Sequence, residues 1–235
     1  MTTPPEDTPK APWRALDERQ RRVLGVLIEK AKTTPAGYPM TSNAITVGCN
    51  QKSNREPMTD YREGEVQEVL EDLRQMGVVA EIDWMGRTAK YKHLAHEWFG
   101  VTRTELAVLA ELLLRGEQTL GDLRARASRM EAIGDMAALK SIVDGLVARG
   151  LMVELTPPGR GQMVTHGVYT PRELESLRSR MQGHVGTSDD APAARPTPVA
   201  SEGLREEMES LRAEVAALRE RVAVLEARLG DTPQA

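Results

Sequence analysis

Apolar residues in the first hundred positions recur first with the period of helices and then with that of strands. Val23, Leu27 and Ile28 fall on one face of a helix, and Pro35 lies just beyond its end. Gly77 marks the end of a later helix in the same way. The pattern predicts helices at 17–32, 41–50 and 62–76, followed by strands at 78–84 and 88–94 joined by a turn at 85–87.

The same order recurs in the second hundred residues. Leu24 and Leu27 of the first copy correspond to Leu109 and Leu112 of the second. The third helices match at a different offset, so the loop before them has changed length. This is an internal repeat at the level of pattern. Its second copy predicts helices at 102–115, 119–128 and 136–149, followed by strands at 151–155 and 163–169.

Three helices followed by a two-stranded hairpin is the order of a winged helix, a variant of the helix-turn-helix. We therefore predict a mainly α fold with small β-hairpins, made of two tandem winged-helix domains plus a C-terminal coiled-coil helix. Two unrelated small α+β domains are the alternative. The predicted organisation is a disordered tail at 1–13, winged-helix domains at 14–99 and 100–181, a flexible linker at 182–203 and a coiled coil at 204–229.

The C-terminal segment has an unbroken heptad pattern, with apolar residues spaced alternately by four and three positions. Val at a with Leu at d favours a parallel dimer, and flanking charges such as Glu214 and Arg219 would attract between chains. A lone helix folded back on the body and a trimer remain alternatives. The predicted dimerisation residues are Leu204, Met208, Leu211, Val215, Leu218, Val222, Leu225 and Leu229.

Composition narrows the range of functions. With 31 basic and 35 acidic side chains the formal net charge is −4, so the chain lacks the basic excess of a protein that coats nucleic acid. A single Cys excludes a disulfide scaffold and a Cys-rich metal site. No apolar run is long enough to span a membrane, and residues 1–12 do not resemble a signal peptide, so we expect a cytoplasmic protein.

Two long blocks carry a resemblance to a known family. They are RRVLGVLIEKAKTTPAGYPMTSNAITVGCNQKSNREPM at 21–58 and LLLRGEQTLGDLRARASRM at 112–130. Together they resemble the YceH-like family of uncharacterised bacterial proteins, over about residues 14–170. Glu117 and Leu120 stand where the family commonly has Pro. The resemblance implies the tandem winged-helix fold and supplies no activity.

Several cations are candidates for contact with duplex DNA. The loop at 50–55 groups cations with amides and a hydroxyl, which suit phosphate oxygens and base edges, and a second cluster of arginines follows at 124–129. The third helix of the first repeat is acidic, which counts against groove binding and favours a protein partner instead. Our first hypothesis is a non-enzymatic, dimeric winged-helix protein that binds DNA or acts as a transcription-associated regulator, and the alternative is a protein-interaction module that does not bind DNA. The candidate nucleic-acid-binding residues are Lys52, Asn54, Arg55, Arg87, Lys90, Arg124, Arg126, Arg129 and Arg160.

Catalytic and metal-binding patterns are weak. His93 and His96 lack the further ligands that a metal site needs, and Cys49 lies on an apolar helix with no base beside it. We therefore expect no enzyme activity, no cofactor and no metal. The expected partners are a second copy of the chain and either duplex DNA or another protein.

Overall fold

The computed structural model describes residues 13–82 and 88–185, with side chains as far as residue 180. The predicted coiled coil, most of the predicted tail and linker, and Arg87 lie outside the described residues. The elements are helices α1 (Glu18–Thr33), α2 (Ser42–Cys49), α3 (Glu63–Gln75), α4 (Ala95–Phe99), α5 (Arg103–Arg115), α6 (Leu120–Ala127), α7 (Met136–Ala148) and α8 (Pro171–Val185), and strands β1 (Val79–Ile82), β2 (Lys90–His93), β3 (Gln118–Thr119), β4 (Met152–Glu154) and β5 (Met163–His166).

The three-helix, two-strand order predicted for each repeat is confirmed. Polar side chains begin α1, α2, α5, α6 and α7 by accepting hydrogen bonds from backbone N–H groups that have no partner within the helix. The helices α3 and α7 are both followed by a glycine with positive φ, Gly77 at 77° and Gly150 at 71°, which stops the helix and turns the chain into a strand. The five capping residues are Asp17, Thr41, Thr102, Thr119 and Asp135.

Each repeat contains a small antiparallel sheet with the same layout. In the first repeat β1 pairs with β2, and Met40, just before α2, forms a bridge with Tyr91 of β2. In the second repeat β5 lies between β4 and β3, and β3 immediately precedes α6. The strand returning from the hairpin therefore also pairs with the residues that lead into the second helix of its repeat.

The structure adds elements that the hydrophobic pattern did not predict. Helix α4 follows β2 and ends at Gly100, which adopts the left-handed conformation with φ of 64°. Helix α8 begins at Pro171, after β5, and continues into the first residues assigned to the linker. Of its side chains, Leu177 is buried. The strand β3 is only two residues long, too short for a period of two to be visible.

The first helices of the two repeats, α1 and α5, pack against each other at the centre of the molecule. Gly25 of α1 allows this approach, because a Cβ at that position would lie 3.0 Å from the side chain of Leu114. Both helices are buried over most of their length. Buried residues of the two repeats form one continuous hydrophobic core, so the repeats share a core across this helix pair.

Candidate functional site

The loop after α2 divides the predicted nucleic-acid contacts into an exposed and a buried part. Lys52 and Asn54 are exposed. The side chain of Arg55 is fully buried, and its guanidinium donates hydrogen bonds to both carboxylate oxygens of Glu29 and to the carbonyl oxygen of Gly48. Arg55 was expected at the surface. It lies in the core, where it cannot reach a phosphate in this conformation.

Arg129, also expected at a nucleic-acid surface, joins the same buried carboxylate. Its guanidinium contacts Glu29 of α1 at 2.5 Å and Glu111 of α5 at 3.1 Å. Burial by itself raises the pKa of Glu29, but the hydrogen bonds and charges of Arg55 and Arg129 outweigh it, so the pKa of this carboxyl lies below its ordinary value. Glu29, Arg55 and Glu111 are buried, and Arg129, whose side chain is 28% exposed, reaches them from the surface. We call these four side chains, which connect the two repeats, the interior charge network.

The other residues predicted to contact nucleic acid lie apart from this network, and each has its own neighbours. Arg124 donates to the carbonyl oxygen of Gly134 at 3.0 Å, and Arg126 donates to the side chain of Gln118 at 2.7 Å. Arg160 is exposed in the turn between β4 and β5, and Lys90 is half-buried in β2. Among the described residues of the predicted set, Arg55 and Arg129 come from distant parts of the chain and meet through the carboxylate of Glu29.

Helix α3 presents a row of carboxylates on its outer face. Glu65, Glu68, Glu71 and Asp72 lie on one side of the helix, while the opposite side packs into the core. We call these four residues the acidic ridge. Glu71 pairs with Arg74 on the same helix, and Glu65 pairs with Arg19. Within the described part of the chain, Glu68 and Asp72 form no ion pair.

A cavity of about 500 Å³ lies between α1, the end of α5 and the segment after β5, and sequence analysis missed it. Its wall includes Arg21, Arg22, His166 and Tyr169. Arg21 forms a two-pronged ion pair with Glu173 of α8 and stacks over the ring of Tyr169 at 4.7 Å. Because these residues come from distant parts of the chain, no local spacing could indicate the cavity.

The surroundings of Cys49 and His93 do not favour a reactive thiol or a metal site. Cys49 is buried, as expected, and burial raises the pKa of its thiol to about 12, which leaves it protonated and unreactive. Burial and the nearby His96 lower the pKa of His93 to about 4. Residues 13–82 and 88–180 contain no group of three or more side chains able to hold a metal ion. In the same residues no helix is both long and apolar enough to cross a membrane.

The burial of His166 makes stability depend on pH. Burial and the charge of Arg21 lower the pKa of His166 from 6.5 to about 3. Between these values the unfolded chain binds a proton that the folded chain does not, so the free energy of unfolding falls as pH drops through this window. We expect His166→Phe to reduce this slope by up to about 1.4 kcal/mol per pH unit. Urea unfolding at several pH values between 7 and 4 measures the slope, and an unchanged slope in the variant contradicts the prediction.

Comparison with known proteins matches this chain to one family and to several of its bacterial members. The family described as "Protein of unknown function, DUF480" matches residues 16–160. A UPF0502 protein of Rhodopirellula baltica is 45% identical over 188 residues, which cover 80% of this chain and 77% of the relative. One from Geobacter sulfurreducens is 45% identical over 143 residues, covering 61% of this chain and 63% of the relative. One from Xanthomonas campestris is 37% identical over 199 residues, or 83% of each chain.

Proposed function

This chain belongs to the bacterial DUF480 (UPF0502) family, with which the YceH-like resemblance is consistent, and we propose that it is a non-enzymatic protein-binding module. In this proposal two winged-helix domains share one core, and the acidic ridge of α3 docks a basic segment of a partner protein. The observation that carries it is the contrast between the carboxylates on the outer face of α3 and two predicted DNA-contacting arginines, Arg55 and Arg129, that are paired with the buried carboxylate of Glu29.

The repeated layout supports the winged-helix assignment. In each repeat three helices precede a hairpin, and the returning strand also pairs with the residues just before the second helix. Each repeat therefore has two hairpin strands and, paired with the second of them, a short segment that precedes the second helix. This is the arrangement we expect of a winged helix. The third helices, α3 and α7, are then the elements that a nucleic-acid-binding member of this fold would place in the major groove.

The charges on α3 favour a protein partner over DNA. A helix that enters the major groove lies between phosphates, which repel carboxylates such as Glu68 and Asp72. A basic protein segment would instead gain charge complementarity on the same face. Two of the predicted DNA-contacting cations, Arg55 and Arg129, are already paired with the carboxylate of Glu29.

DNA binding remains a second candidate because some predicted contacts are exposed. Lys52 and Asn54 protrude from the loop after α2, and Arg160 lies exposed in the hairpin turn of the second repeat. A few such cations can bind phosphates without any help from α3. In this alternative the chain would bind duplex DNA through loop and hairpin, with an affinity that falls steeply as salt increases.

Reversing charge on the acidic ridge tests the proposed function. We expect the full chain carrying Glu68→Lys and Asp72→Lys to bind its partner about tenfold or more weakly, because like charges would then face each other. Glu97→Lys with Glu175→Lys is the matched control, since it makes the same charge change at exposed positions outside the ridge.

The measurement is quantitative affinity capture from extracts of the native cells, followed by titration of the captured, purified protein. A basic protein held by the wild type and the control but lost by the ridge variant supports the proposal. Equal binding by all three forms contradicts it.

Self-association through the C-terminal heptads is a further part of the proposal, and its residues lie outside the described part of the chain. A parallel dimer would present two acidic ridges per assembly, which raises the effective affinity for a partner with two basic segments. Because the seam has fewer than four heptads, a single charge in it would be severely disruptive.

We expect Leu218→Asp, at a d position, to convert the full-length dimer to a monomer at micromolar concentration. Ala217→Asp, at the adjacent outward c position, adds the same charge and serves as the control that stays dimeric. Light scattering coupled to size-exclusion chromatography measures the molar mass. A wild-type monomer, or a dimer that survives Leu218→Asp, overturns this part of the proposal.

A further inference from the structure

The wall of the cavity beside α1 includes a buried cation, Arg22. Arg22 is 3% exposed, and its guanidinium donates to the carbonyl oxygens of Cys49 at 3.2 Å and Pro57 at 2.6 Å. Within the described residues it forms no ion pair. A buried charge is costly unless an opposite charge accompanies it, and Arg22 lies in the wall of a cavity where such a charge could be supplied from outside.

A buried histidine in the same wall has an unused polar atom. His166 of β5 is 1% exposed, and its Nδ1 has no hydrogen-bond partner. Its ring stacks on that of Tyr169, with centroids 3.8 Å apart, so the ring cannot easily turn to find another partner. Buried polar atoms without partners are rare in folded proteins, and His166 belongs to the wall of this cavity, so a small shift of its ring would bring Nδ1 within reach of a bound group.

We propose that this cavity binds a small molecule that carries a carboxylate or phosphate group, with Arg22 and His166 as the residues that recognise this group. The volume of about 500 Å³ is in the range of small-molecule sites and too small for a macromolecule. Arg115 and Arg180 line the same cavity and add positive charge. This site is separate from the acidic ridge and does not depend on the protein-binding proposal.

The remaining wall residues restrict the ligand further. Glu18, Glu56 and Glu117 also line the cavity, so several carboxylates face the same space as the arginines. A polyanion would be repelled by these groups. A ligand with one anionic group, and with donors or a positive charge elsewhere, matches both kinds of wall residue.

Calorimetric titration of the full-length protein tests the site, with inorganic phosphate and acetate as separate probes at constant ionic strength. We expect saturable binding of one equivalent of at least one probe at concentrations up to about 10 mM. His166→Phe keeps a stacking ring but removes Nδ1, and we expect it to weaken binding about tenfold. Absence of saturable binding by both probes overturns the proposal.

A second pair of variants keeps the test decisive if His166→Phe does not fold. Arg180 and Arg178 are both exposed on α8, but only Arg180 lines the cavity. We expect Arg180→Gln to weaken probe binding several-fold and Arg178→Gln to leave it unchanged. If both arginine variants bind as the wild type does, the probe occupies another site and the assignment is wrong. Phosphate and acetate differ in charge and shape, so the probe that binds more tightly shows whether the cavity prefers a phosphate or a carboxylate group.

Discussion

Replacing Glu29 by Gln is expected to lower the free energy of unfolding by about 3–5 kcal/mol, the range seen when one partner of a buried ion pair is removed. The side chain of Glu29 is 3% exposed and contacts the guanidinium groups of both Arg55 and Arg129. Gln has nearly the same shape, so the loss is electrostatic, and it leaves the buried Arg55 and the partly exposed Arg129 with one carboxylate fewer. Since Arg129 also contacts α5, the damage extends to both repeats.

Urea unfolding at neutral pH measures this loss, and Glu71→Gln provides the control. Glu71 also pairs with an arginine, but about half of each side chain in that pair is exposed, 46% for Glu71 and 48% for Arg74. We expect the control to change stability far less than Glu29→Gln does, because solvent screens exposed pairs. Equal, small losses in both variants would show that the interior charge network does not stabilise the fold.

Leu114→Ala is expected to cost about 2–5 kcal/mol, because it leaves a cavity where α1 and α5 cross. Leu114 is fully buried, and its side chain lies against the position of Gly25. The close approach of the two helices at this glycine allows little relaxation into the vacated space. Because the two repeats share one core here, we expect them to lose stability together, in a single transition.

Two spectroscopic signals distinguish a single transition from two. Tryptophan fluorescence reports on the three tryptophans together, among them Trp98 of α4 and Trp13, which lies beside Gly150. Far-ultraviolet circular dichroism reports on the helices of both repeats. We expect both signals to give the same, lowered midpoint for Leu114→Ala. Val47→Ala, at a position 61% exposed, is the control and should change stability by at most about 0.5 kcal/mol. Separate midpoints for the two signals would indicate repeats that unfold independently.

The elements that sequence could predict are those whose signals are local. The stripe of apolar residues on α1, the capping residues before the helices and the glycines after α3 and α7 all act within a few positions of one another. The burial of Cys49 could be predicted for the same reason, since it lies on an apolar helix. Helix α8 was missed because few of its residues are buried, so it leaves only a weak periodic signal.

The positions of the charged side chains could not be predicted, because their partners are distant in sequence. Arg55 lies 26 residues from Glu29, and Arg129 lies 100 residues from it, yet the three meet in the interior. In a sequence these arginines look like surface cations beside other polar residues. The cavity around Arg22 and His166 depends in the same way on the packing of α1 against the second repeat.

A titration of labelled duplex DNA with the full-length protein, followed by fluorescence anisotropy at about 50 and 200 mM salt, distinguishes the two proposed classes of partner most directly. Non-specific DNA-binding proteins bind with dissociation constants of about 10⁻⁴–10⁻⁶ M at physiological salt, and more tightly at low salt. With an acidic α3 and with Arg55 and Arg129 paired with Glu29, we expect no saturable binding at about 10 µM protein even at the lower salt. Micromolar or tighter binding that weakens steeply between the two salt concentrations, and is reduced by Lys52→Ala, would contradict a protein-binding role for the acidic ridge.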